Sequence, residues 1–83
     1  MTVTVYGRPG CVQCTATTRA LDASGLAYVY RDVTLDAEAL AHVASLGYRA
    51  APVCVTADGR HWSGFRPDLL QALSADPSSQ RIS

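Results

Sequence analysis

The chain opens on strict alternation. Val3 and Val5 take turns with Thr2 and Thr4 up to Tyr6, the period-two pattern of a strand, and Gly7-Arg8-Pro9-Gly10 then breaks it. From Val12 to about Ser24 the residues suit a helix with Cys14, Thr18 and Leu21 on one face, and Gly25 stands where a helix C-terminal glycine belongs. A second strand is predicted within Leu26 to Val33, centred on Ala27-Tyr28-Val29-Tyr30. Thr34 or Asp36 can cap the next helix, whose apolar stripe is Leu40, Val43 and Ala44 before Gly47. Val53 to Ala57 and Arg60 to Ser63 flank Asp58-Gly59, a dipeptide suited to the positive φ angles of a two-residue hairpin turn. That turn sets Thr56 opposite His61 and Cys54 opposite Ser63, and puts Trp62 on the face of Val53 and Val55, where it could simply be core. Pro67 suits a first helical turn, Asp68 complements the helix dipole, and Leu69, Leu70 and Leu73 make an apolar face that ends near Asp76-Pro77. The predicted order is β-α-β-α-β-β-α, an α/β arrangement.

Composition adds boundaries. A chain of 83 residues supports one small domain, and 48% hydrophobic residues suffice for a modest core. The domain is expected over about 1–75; from Ser74 on the residues are small and polar apart from Ile82, so 76–83 reads as a flexible polar tail. There is no Lys, and arginines at 8, 19, 31, 49, 60, 66 and 81 each have acidic residues in the same region, so net charge is zero and no basic stripe forms. Nucleic acid is therefore not an expected partner. Apolar runs such as Leu26 to Tyr30 fall far short of the roughly 18 residues of a membrane span, so no membrane role is expected. The opening also lacks the basic start and apolar core of a secretory signal, which points to the cytoplasm.

Three cysteines is an odd count, which argues against a disulfide framework and turns attention to Cys11-Val12-Gln13-Cys14. A two-residue spacer suits both a dithiol that closes to a disulfide and half of a zinc site. Zinc would need two more ligands from Cys54, His42 and His61, which form no second close-spaced pair; in the hairpin register above, Cys54 and His61 are only diagonal neighbours. A non-catalytic zinc module is the alternative that remains. The redox reading needs a strand, a loop and a helix whose first turn holds both sulfurs, the layout predicted over residues 2–24. In that layout the unpaired N–H groups and positive dipole end of the helix favour Cys11 as thiolate and nucleophile, while Cys14, further in, is the shielded resolving thiol. Arg8 adds positive charge to the same loop or is simply solvated. Tyr6 is expected to pack near the pair, or else to form a core edge. Cys54, between valines, reads as a small buried hydrophobe. In Ala51-Pro52-Val53 the proline must sit at the first residue of a buried strand, and with only about 5–6% of X-Pro bonds cis the sequence by itself favours trans. Ser63 to Arg66 form a polar, glycine-hinged loop suited to holding a partner or bracing the site.

Strand one, Cys-Val-Gln-Cys, Ala51-Pro52-Val53 and the run Trp62-Ser63-Gly64-Phe65-Arg66-Pro67-Asp68 together resemble the NrdH-redoxins, a glutaredoxin-like branch of the thioredoxin superfamily, over about Thr2 to Leu73. The resemblance implies a thioredoxin/glutaredoxin-like fold with a central four-stranded mixed sheet. It implies an electron carrier with no bound cofactor and no metal, a redox-active Cys11–Cys14 disulfide, and a cis Pro52. Its implied partners are the large subunit of class Ib ribonucleotide reductase, whose disulfide it reduces, and thioredoxin reductase, through which NADPH is used indirectly. The carrier is expected to act as a monomer. Substrate or partner contacts are then expected from Arg8, Pro9, Val12, Gln13, Ala51, Pro52, Trp62, Ser63, Gly64, Phe65, Arg66 and Asp68. Ordinary glutaredoxins usually carry Cys-Pro-Tyr-Cys, a Thr before the cis-proline and a Gly-Gly-containing glutathione loop, whereas this chain has Val12-Gln13, Ala51 and Ser63-Gly64-Phe65. The departures argue against glutathione, although Asp68 falls where glutaredoxins place an acidic residue near the glutathione amine. The alternative within this reading is a glutaredoxin or mycoredoxin-type enzyme acting on mixed disulfides of low-molecular-weight thiols.

Overall fold

Residues 2–75 are described by a computed structural model; the expected tail at 76–83 lies outside them. The elements are β1 (Val3–Gly7), α1 (Val12–Ser24), β2 (Tyr28–Asp32), α2 (Ala37–Ser45), β3 (Val53–Thr56), β4 (His61–Ser63) and α3 (Pro67–Ala75), in the order predicted. They build a four-stranded sheet ordered β2-β1-β3-β4, with β1 and β2 parallel and the other two pairs antiparallel. A parallel pair requires a crossover, and α1 supplies it.

Alternation along β1 and β3 sorts the core into two layers. Val3, Val5, Cys54 and Trp62 pack with Leu21 of α1, Leu26, and Leu70 and Leu73 of α3. On the other face Tyr6 and Val53 pack with Ala39 and Val43 of α2. The three helices therefore cover both faces, and the β1–α1 loop leaves the end of an interior strand.

The helix phases differ from expectation by one residue each. On α1 the buried positions are Cys14, Thr17 and Leu21, so Thr17 replaces Thr18. Its hydroxyl donates to the Gln13 carbonyl at 2.8 Å, which lets a polar side chain sit in an apolar layer. On α2 Asp36, rather than Thr34, is the N-cap, its carboxylate accepting the Ala39 N–H at 3.1 Å. That backbone bond, reinforced by Arg31, holds the Asp36 carboxyl below its usual range. The resulting phase turns Ala39 and Val43 inward and leaves Leu40 53% exposed. The small Ala39 packs with Tyr6 and Val53, a place the hydropathy pattern had assigned to Leu40.

The hairpin is the larger correction. Val53 pairs with Ser63, Cys54 with Trp62 and Val55 with His61. Thr56 N–H donates to the Arg60 carbonyl at 2.8 Å, which leaves Ala57, Asp58 and Gly59 as the loop. Gly59 lies at φ +94, the left-handed third position of a three-residue hairpin loop, and not in a two-residue turn. The Asp58 carboxylate takes the Arg60 guanidinium and the Thr56 hydroxyl, and these hold its pKa down at about 2. One residue of register flips every side chain to the other face. Trp62 therefore lies with Cys54 and not with Val53 and Val55, and His61 lies on the face away from Cys54.

Cys54 is fully buried, and burial pushes its thiol up to about 11, the adjoining Trp62 N–H offsetting part of that rise. Among the described residues that indole N–H meets no acceptor in ordinary hydrogen-bond geometry. An unfolded thiol ionises near 9.0 and the folded one near 11, so the stability owed to the protonated thiol is present below 9 and lost as pH rises toward 11. Cys54→Ala is expected to keep disulfide-reductase activity, to lose about 1 kcal/mol near neutral pH, and to lose less stability than the parent on going to alkaline pH. Thermal unfolding across that range, with activity assayed at neutral pH, checks it; an inactive but folded variant would give Cys54 a chemical role.

Candidate active site

β1 ends at Gly7 and hands the chain to Arg8-Pro9-Gly10, all exposed, with Gly10 at φ +72 turning the backbone into α1. Cys11 is the N-cap: its backbone is extended, at φ −92 and ψ 108, and its sulfur accepts the Cys14 N–H at 3.2 Å. A sulfur in the place of a capping oxygen sits against an otherwise unpaired donor and the positive end of the helix, an environment that favours its anion. No acidic residue lies in this first turn to oppose it. Cys14, one turn in, is 2% exposed, whereas Cys11 is half-buried. The two sulfurs are paired, with Cα atoms 5.2 Å apart.

Two other chain segments frame the pair. The Ala51–Pro52 peptide bond is cis, and the Ala51 carbonyl oxygen lies 3.9 Å from the Cys11 sulfur. The loop after β4 reaches the same place: the Ser63 hydroxyl donates to the Ala50 carbonyl at 3.1 Å, Gly64 N–H to the Pro52 carbonyl at 2.8 Å, and Phe65 N–H to the Gln13 side-chain oxygen at 3.2 Å. Arg66 clasps Asp68 through two hydrogen bonds of 3.1 and 2.9 Å, and this guanidinium holds the Asp68 carboxyl below its usual range. Cys11, Cys14, Gln13, Ala51, Pro52, Ser63, Gly64 and Phe65 are thus brought together, with the Arg66–Asp68 pair on the same loop. Val12, 83% exposed, presents an apolar tip between the cysteines. Trp62, open in the sequence to both a contact and a core reading, is 7% exposed and belongs to the core.

Two hollows share Arg8 in their linings. One, of about 200 Å³, is lined by Tyr6, Val33, Leu40, Val43, Arg49 and Ala51. The other, of about 380 Å³, is lined by Cys11, Cys14, Thr15, Thr18, Tyr28 and Tyr30. Tyr6, expected beside the cysteines or at a core edge, packs with α2 and stacks at a tilt on His42, 5.7 Å between ring centres. Tyr28, Tyr30 and Arg49 were not singled out by the sequence. The available signal for Tyr30 was Gly7: a Cβ there would collide with the Tyr30 ring and hydroxyl, so the glycine is what lets this tyrosine lie beside the loop. Its partial burial, and then Asp32, raise the pKa of the Tyr30 phenol.

The residues considered for zinc are dispersed. Cys54 is sealed in the core, His42 packs on Tyr6, and His61 shares a 2.8 Å hydrogen bond with Tyr48. Among the described residues, no three His, Cys, Asp or Glu side chains converge as a metal site. Nor, among these residues, is any helix long and apolar enough to cross a membrane.

Comparison with known proteins agrees with this geometry. The glutaredoxin family model matches residues 3–62. The glutaredoxin-like protein NrdH of Salmonella typhimurium is 39% identical over 77 residues, covering 93% of this chain and 94% of that protein. Its counterpart in Lactococcus lactis subsp. cremoris is 36% identical over 72 residues, covering 87% of this chain and 99% of that one. Among solved structures, the Escherichia coli NrdH-redoxin, described as glutaredoxin-like with a thioredoxin-like activity profile, superposes with a TM-score of 0.85 at 39% identity, covering 93% of this chain and 100% of that one.

Proposed function

The chain belongs to the glutaredoxin family, among its NrdH-type glutaredoxin-like proteins, and on that premise we propose that it carries electrons from thioredoxin reductase to a protein disulfide, that of the class Ib ribonucleotide reductase large subunit. Thiol–disulfide oxidoreduction is the activity of the family. The observation that supports these roles for the two cysteines is their unequal exposure at one helix start: Cys11 caps the helix within reach of solvent, and Cys14 is covered.

In the proposed cycle the Cys11 thiolate attacks one sulfur of the target disulfide, and the other sulfur leaves with the bonding pair as a thiolate. Cys14 gives up its proton and attacks the Cys11 sulfur, which expels the second target sulfur as a thiolate and closes Cys11–Cys14. Two electrons pass to the target, whose two thiolates take up protons. Arg8, Pro9, Val12 and the 63–66 loop supply the surface on which a partner docks, and the exposed Val12 suits a broad protein contact. NADPH then restores the dithiol by way of thioredoxin reductase, and the work takes place in the cytoplasm.

The test follows NADPH consumption during reduction of a disulfide substrate, supplied either with thioredoxin reductase of the same organism or with glutathione and its reductase. Turnover is expected to be roughly tenfold or more faster with thioredoxin reductase, which corresponds to about 1.4 kcal/mol or more of discrimination. Efficient turnover with glutathione alone would instead make the protein an enzyme for small-thiol mixed disulfides.

A further inference from the structure

Gln13 stands between the two cysteines, and the exchange steps make no use of its side chain. Its amide oxygen accepts the Phe65 N–H at 3.2 Å, joining residues 52 apart in sequence, and lies 3.5 Å from where a Cβ of Gly64 would project. Gly64, at φ +87, turns the following N–H back toward α1. Its own N–H is taken by the Pro52 carbonyl, and the nearby Asp68 carboxylate by Arg66. These polar groups of the loop are thus satisfied from within the protein.

A backbone N–H close to the start of a helix makes a receptor for a carboxylate, because hydrogen bonds to an ionised acceptor are roughly twice as strong as neutral ones. Gln13 fills that donor with an uncharged oxygen. Being tethered, it spends no translational freedom in doing so, whereas a small anion would have to. A protein disulfide docking across Val12 and the surrounding loops has no need of the Phe65 N–H. We propose that Gln13 is a specificity-determining residue that closes the Phe65 N–H to carboxylate-bearing small disulfides and so biases the Cys11–Cys14 pair toward protein disulfides. The inference rests on the reading of Cys11 and Cys14 as the reacting pair and is independent of what recycles them.

The experiment is a single-turnover oxidation of chemically reduced protein, so that no reductase is involved. Two small disulfides are compared, dianionic dithiodipropionate and neutral hydroxyethyl disulfide, and the readout is the ratio of their second-order rate constants. In Gln13→Met, of similar length but without the oxygen acceptor, the anionic-to-neutral ratio is expected to rise roughly tenfold, as one hydrogen bond to a charged group would give. Gln13→Glu, which restores an acceptor, is expected to return the ratio to the parent value or below. The Phe65 amide resonance provides a second readout. In the oxidised proteins, which dithiodipropionate cannot oxidise further, it should respond to that disulfide in Gln13→Met and stay unmoved in the parent. An unchanged ratio in Gln13→Met, a rise of equal size in Gln13→Glu, or a Phe65 response in the parent would each overturn the proposal. Failure of both proteins to oxidise at all would instead count against the reacting pair.

Discussion

Cys11→Ser is expected to abolish disulfide reduction, a fall of roughly a thousandfold or more, while Cys14→Ser stalls one step later and accumulates a covalent adduct with its substrate. The asymmetry follows from position. Cys11 is half-buried at the helix cap, where its sulfur meets the Cys14 N–H, and Cys14 is covered. Without the Cys11 sulfur no accessible nucleophile remains, since Cys54 is sealed in the core with its pKa pushed up to about 11. Without the Cys14 sulfur the first exchange still proceeds, but the only internal group able to expel the substrate is gone. Serine is itself a favoured N-cap, so Cys11→Ser should stay within about 1 kcal/mol of the parent in stability, which separates lost chemistry from lost folding. Mass spectrometry of each variant after incubation with a protein disulfide gives the answer. An adduct on Cys11→Ser and none on Cys14→Ser would reverse the two roles.

Leu21→Ala should produce the largest loss of stability. Leu21 is fully buried where α1 meets β1 and α3, clustered with Val3, Val5, Leu70 and Leu73. Truncating a leucine in such a seam removes the transfer energy of the lost carbons and leaves a cavity, together about 3 kcal/mol within a range of roughly 2 to 5. For a domain of this size each kcal/mol moves the midpoint by about 4–8 °C, so thermal unfolding should shift down by roughly 12–24 °C. Well below the new midpoint, activity should persist, because the cap that positions Cys11 is nearly three turns away along α1. A loss under about 1 kcal/mol would show that the α1–α3 seam contributes little to the fold.

Element order was legible because each element carries its own punctuation: alternation ended by Gly7, the cysteine pair at a helix start, and Gly25 as the left-handed cap. The site was legible where it is local, at Cys11 and Cys14. What escaped was phase and register. Asp58-Gly59 suits a two-residue turn and also the last two places of a three-residue loop, and only pairing across the strands decides between them; that one residue moved Trp62 from one layer to the other. Ala39 took the inward place assigned to Leu40 because helix phase follows from the Asp36 cap, and hydropathy alone ranks leucine above alanine. The ties from Gln13 to Phe65 and from Gly64 to Pro52 join distant segments. The 62–68 run carries its signal in family likeness and not in periodicity.

Those ties also set an order in time. The ribosome makes the chain in the N- to C-terminal direction, so Cys11 emerges 40 residues before Ala51, whose carbonyl lies beside it, and Gln13 emerges 52 residues before its donor at Phe65. Until then the thiols belong to a nascent segment with β1 unpaired to β3, and the oxygen of Gln13 lacks its partner. Reactivity thus precedes its enclosure during synthesis. An oxidant that reaches the emerging chain meets two neighbouring thiols before the groups that govern what they react with have been made.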